Sequence, residues 1–170
     1  MQADLYRERP SEAWGGIQRD WPGLVRSKLL MAQFMRVEIR HLRARAALAL
    51  ASQVATQGNH SQAQQLRRAA LADAQTIERD RVAPAMPLAE SIRAGAAGER
   101  REDAIGHLER ARAGFRAAGM MLYEQAVSAR LGTLRGGQGG AELRAEAHRW
   151  MMQNHVEQPG SMIAMLVPGV

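Results

Sequence analysis

Between Leu24 and Ala55 the apolar positions recur at helical spacing on two sides of one cylinder. Wrapped at about 100° per residue, Met31, Met35, Ile39, Leu42 and Ala46 form one stripe. Leu30, Phe34, Val37, Ala44 and Leu48 form a second stripe, well round from the first. Arg36, Arg40 and Arg43 make a narrow polar strip between them, and Glu38 and Arg45 mark the other gap. A helix at the edge of a bundle needs one apolar face, so two faces predict one long helix with neighbours on both sides, as in a stacked helical array.

The rest of the chain reads as helices separated by glycine and proline. Met1 to Arg7 is a short amphipathic piece, and Pro10, at a first helical position, opens a helix to Asp20 with Trp14 and Ile17 facing inward. Trp21-Pro22-Gly23 is expected to turn the chain into the long helix. Gly58-Asn59 caps that helix, and Ser61 to Asp80 returns antiparallel with Leu66, Ala69, Ala70, Ala74 and Ile77 inside. Val82 to Pro87 is a break, because Pro84 and Pro87 oppose a continuous helix.

After the break comes a repeat signal. Leu88 to Ala97 and Glu102 to Ala118 form a hairpin about the turn at Gly98, and Ala104, Leu108 and Ala111 have the small, large, small spacing of a tetratricopeptide hairpin. That register puts Leu88 and Ile92 at large apolar positions and Gly95 at a small one. Gly58 and Gly98 are 40 positions apart, longer than the usual repeat of about 34 residues, so the array is irregular. Met120 to Leu134 is the next helix, 136–140 a flexible glycine connector, and Glu142 to Asn154 the helix after it. Pro159 opens a last short helix, 159–167, expected to cover the open end of the stack. The fold class is thus all-α: a single domain over 1–170 of stacked antiparallel helix hairpins, a tetratricopeptide-like α-solenoid.

Composition agrees with close helix packing. Hydrophobic residues are 46% of the 170 and aromatic ones only 4%, so Ala, Leu, Met, Val and Ile must build the core. Cysteine is absent, which excludes a disulfide or thiolate metal site. The net charge of +6 invites a nucleic-acid reading, but the arginines are spread through every helix and interleaved with Glu, the pattern of solvated helix faces. No apolar run is long enough to span a bilayer, and no targeting signal is visible, so a cytoplasmic protein is expected.

Candidate chemistry is sparse. Lys28, the only lysine, lacks the preceding glycine run of a phosphate loop. No G-x-S-x-G, H-E-x-x-H or EF-hand pattern occurs. Asp103 and His107 share a helix face one turn apart without a second pair to complete a metal site. The paired methionines Met120-Met121 and Met151-Met152, with Met162 and Met165, suit either core filling or an adaptable binding surface. The expectation is a non-catalytic protein with no cofactor and no metal.

Three groups of segments carry a resemblance. Arg36-Val37-Glu38 with 41–49, Ala74 to Arg79, and Leu108-Glu109-Arg110-Ala111 with Gly114 to Met120 resemble the C-terminal helical region of large bacterial serine/threonine protein kinases. The ending, Pro159, Met162, Met165-Leu166 and Pro168-Gly169, is similar to the close of that region. The resemblance implies tetratricopeptide-like repeats that follow a kinase domain. The catalytic motifs of such a domain are absent here, His148-Arg149 being followed by Trp150. Met1 to Arg7 reads as the second half of a hairpin, so the chain is expected to be a detached or truncated region.

The function expected from these readings is protein binding in the groove of the stack. Arg36, Arg40 and Arg43 are the candidate contacts, with a protein or acidic peptide as partner. A kinase domain docked in regulatory fashion is one alternative and a nucleic acid another.

Overall fold

Runs of Ala and Leu at helical spacing, closed by glycines in the left-handed region, set the course of the chain. Gly58 (φ 83°), Gly98 (φ 64°) and Gly119 (φ 69°) each end a helix where a side chain would be strained. The computed structural model describes residues 1–80 and 82–170, and among the described residues there is no strand. In order the helices are α1 (Gln2–Tyr6), α2 (Pro10–Arg26), α3 (Gln33–Thr56), α4 (His60–Arg79), α5 (Ala85–Ala96), α6 (Arg101–Ala117), α7 (Met121–Arg135), α8 (Gly137–Gln153) and α9 (Pro159–Leu166). A 3₁₀ turn, Leu29–Met31, joins α2 to α3.

Each helix packs on its neighbour in sequence, giving the antiparallel hairpins α3/α4, α5/α6 and α7/α8. Leu48, Ile77, Leu88, Ile92, Leu108, Phe115, Leu131 and Met151 are fully buried between them. Ala104, Leu108 and Ala111 occupy the close contact expected of a repeat hairpin, all three buried. Small residues there let the backbones approach, so a core almost without aromatic rings still excludes water.

The expected long helix from Leu24 to Ala55 is two elements. Lys28, at φ 59°, breaks it, and the Ser27 hydroxyl donates to the Leu24 carbonyl at 2.8 Å to close α2. Trp21-Pro22-Gly23 is not a turn, since α2 runs through it to Arg26. Pro22 and Gln18 are both exposed, so the carbonyl deprived of a partner by the proline faces water and costs little. From Ala44 to Leu48 helix α3 is buried on all sides, as its two stripes predict. Just before its start Met31 is 74% exposed, and at its start Phe34 is 73% exposed, with no cover among the described residues.

The glycine run 136–140 is not a flexible connector. Gly136 and Gly137 take positive φ to reverse the chain, and α8 begins at once. A Cβ on Gly132 would stand 2.5 Å from the Gly140 carbonyl oxygen, so α7 and α8 cross backbone on backbone. The glycines serve close packing as well as the turn.

Helix α9 also departs from expectation. Rather than only covering the far end of the stack, it folds back against α1, α3, α7 and α8. Pro168 and Gly169, just beyond it, reach α5 at Gly95. The first helices of the three hairpins, α3, α5 and α7, thus share a face on which residues 159–170 lie. No helix among the described residues is long and apolar enough to cross a membrane.

Candidate peptide-binding groove

Arg36, Arg40 and Arg43 lie together on α3, but their guanidiniums turn toward α2 and α4. Arg36 donates through Nε to both carboxylate oxygens of Asp80 at 3.0 Å, a bond that holds its pKa above the ordinary value. Arg40 and Arg43 both bond Asp73 on α4, at 2.9 Å and 2.7 Å, and Asp73 is buried. The Trp21 ring of α2 lies 3.8 Å from the Arg43 guanidinium carbon, a cation–π contact. The three candidates therefore join α2, α3 and α4, and their charges are already matched inside the chain.

The groove lies on the other side of α3. Arg45 is two positions from Arg43, about 200° round the helix, and points at α9. Its guanidinium is almost fully buried and donates to the Met165 carbonyl at 3.2 Å, while its Nε has no partner. From α7, Arg130 donates through Nε to the Val167 carbonyl at 3.0 Å. Burial lowers the pKa of both arginines, and neither forms an ion pair among the described residues. Two half-matched cations in a low-dielectric setting are costly to keep, and an acceptor placed between them gains accordingly.

His41 and Tyr123 complete the floor, their rings 5.8 Å apart. His41 is wholly buried, with both ring nitrogens unpartnered among the described residues; burial first, and the Arg45 charge second, hold its pKa well below the ordinary value. Burial raises the pKa of the Tyr123 phenol. The imidazole is therefore neutral in the fold. Beside this floor a half-open cavity of about 340 Å³ is bounded by residues that include Leu5, Glu8, Ser52, Arg130, Ala164 and Val170.

Asp103 and His107 do not act together. Asp103 pairs with Arg100, and His107 turns to Glu90 on α5, its Nδ1 2.7 Å away. Glu90 also receives Arg93 and Arg110; burial would raise its pKa, but the hydrogen bonds from His107 and Arg110 outweigh that and lower it. This cluster ties α5 to α6. Among the described residues no group of three or more His, Asp or Glu is placed to hold a metal ion. The methionines divide: Met151 and Met165 are core, whereas Met121 and Met152 are exposed.

Arg45 and Arg130 were not among the sequence candidates, although Arg45 carried a signal. It stands in Ala44-Arg45-Ala46-Ala47-Leu48, a run of small apolar residues, with His41 one turn before it on the same face. Arg130 is flanked in the same way by Ala129 and Leu131. No family model, curated protein or solved structure matches the chain. The kinase-region resemblance therefore rests on its own segments.

Proposed function

We propose that the protein is a non-catalytic scaffold that binds a segment of another protein on the face of α3, α5 and α7. The observation that carries this reading is the pair Arg45 and Arg130, which hold the backbone carbonyls of a short apolar segment and, among the described residues, pair with no carboxylate. Gripping main-chain oxygens recognises a peptide by its backbone, and the surrounding apolar wall then selects its side chains. Relationship to the C-terminal region of a bacterial serine/threonine kinase, and action in the cytoplasm, belong to the same proposal. In that setting the bound segment belongs to a kinase domain or its substrate.

A photo-crosslinking residue at Ser52, beside the cavity, and another at exposed Gln75 on α4 test the reading in the full chain. Adducts with a protein from position 52 and none from position 75 support it. Equal labelling from both positions, or none from 52, rejects it. The basic surface offers less to a nucleic acid, because Arg36, Arg40, Arg43, Arg93, Arg110 and Arg116 are each paired with a carboxylate.

A further inference from the structure

Residues 159–170 lie along the face that α3, α5 and α7 share. The segment Pro-Gly-Ser-Met-Ile-Ala-Met-Leu-Val-Pro-Gly-Val carries no charged side chain. Ile163, Met165, Leu166 and Val167 are its buried apolar contacts; buried Arg45 and part-buried Arg130 donate to its carbonyl oxygens, and the Ser161 hydroxyl donates to Glu8 at 3.1 Å. Its far end passes so close to α5 that a Cβ on Gly169 would lie 2.6 Å from the Gly95 carbonyl oxygen. Gly95 itself has no room for a side chain beneath Pro168.

Two features set this segment apart from the hairpins. It is joined to α8 by a stretch in which Asn154, His155 (φ 59°) and Glu157 are exposed while Val156 packs on the core. It also leaves the groove partly unused: Ala164 and Arg130 border the 340 Å³ cavity together with Glu8 and Val170, and among the described residues no carboxylate pairs with that guanidinium. A carboxylate at the position of Ala164 would enter this space and meet Arg130, which the present occupant satisfies with one neutral oxygen.

We propose that residues 159–170 are an intramolecular occupant of the groove, and that the partner displacing them is a short apolar helical segment bearing a carboxylate for Arg130. The inference rests on the groove being the binding face. The tethered occupant then sets a threshold: its high effective concentration excludes weak competitors and admits one that supplies the missing charge.

Hydrogen exchange on the unaltered full chain, with two synthetic peptides, tests this. One peptide has the sequence of residues 159–170; the other carries the A164E change. Amides of α9 should exchange at least about tenfold faster than those of α3 and α5, through an opening that leaves the hairpins protected. Exchange of α9 only together with α3 and α5 would make the segment a fixed core element and overturn the occupant, leaving the groove reading to its crosslinking test. The Gly169→Val chain, altered in the occupant and not in the groove, should bind the A164E peptide roughly tenfold more tightly than the unaltered chain does. It should prefer that peptide to the plain one, and Arg130→Gln should remove the preference. Local opening without binding of either peptide would overturn both this ligand and the groove as binding face. Binding that ignores Arg130→Gln would overturn the carboxylate.

Discussion

The carboxylate of Asp73 on α4 receives the Arg43 guanidinium of α3 at 2.7 Å, and only 1% of the Asp73 side chain is open to solvent. A second arginine, Arg40, bonds the same carboxylate, so one buried anion fastens the first hairpin through two cations. Removing the anion strands both guanidiniums between α2 and α4. Asp73→Ala is expected to cost about 3 kcal/mol, read as a lower urea midpoint. Arg43→Glu should be worse, since it sets two carboxylates side by side.

The exposed start of α3 gives the opposite expectation. Phe34 touches little, and Phe34→Ser should change stability by less than about 0.5 kcal/mol. Phe115 is fully buried and stacked on Tyr123 at 5.1 Å between ring centres. Phe115→Ala should cost roughly 3–5 kcal/mol in the same denaturation experiment.

His41 makes stability depend on pH in a definite direction. Its folded pKa is depressed by burial, so the native state stays neutral where the unfolded chain gains a proton, below about pH 6.5. The unfolded state then binds more protons, and stability falls as pH drops, by up to about 1.4 kcal/mol per pH unit for this group. Above that range both states are neutral and the contribution is level. Urea midpoints measured at intervals from about pH 7 to about pH 5 should fall less steeply in His41→Leu than in the unaltered chain. At neutral pH the variant should be at least as stable, because two unpartnered buried nitrogens disappear.

The glycine run between α7 and α8 separates packing from flexibility. Gly140→Ala drives a Cβ into the Gly132 carbonyl oxygen, and the expected loss is roughly 1–3 kcal/mol by thermal or urea unfolding. Gly139→Ala, one position earlier, meets nothing within 4 Å and should stabilise α8 by up to about 1 kcal/mol. Were the run a flexible tether, the two substitutions would act alike.

The hairpins α3/α4 and α5/α6 follow the sequence closely, because their signals are local. Helical periodicity, left-handed glycines and the spacing of Ala104, Leu108 and Ala111 act within a few turns of chain. The start of α3 was less legible, since its apolar stripe continues past Lys28 whether or not a neighbour exists to bury it. Proline and glycine at 21–23 signal a turn, yet exposure let the helix pass through.

By itself the sequence determined an all-helical chain, its hairpin order and the absence of charge from residues 159–170. Only the tertiary structure decided which arginines face which carboxylates, that Gly132 and Gly140 interlock, and that α9 returns to α1, α3 and α7. The physical reason is the range of the interactions. A helix forms from contacts three and four residues apart, whereas Arg45 finds the carbonyl of Met165 across 120 positions, and no periodicity encodes that meeting.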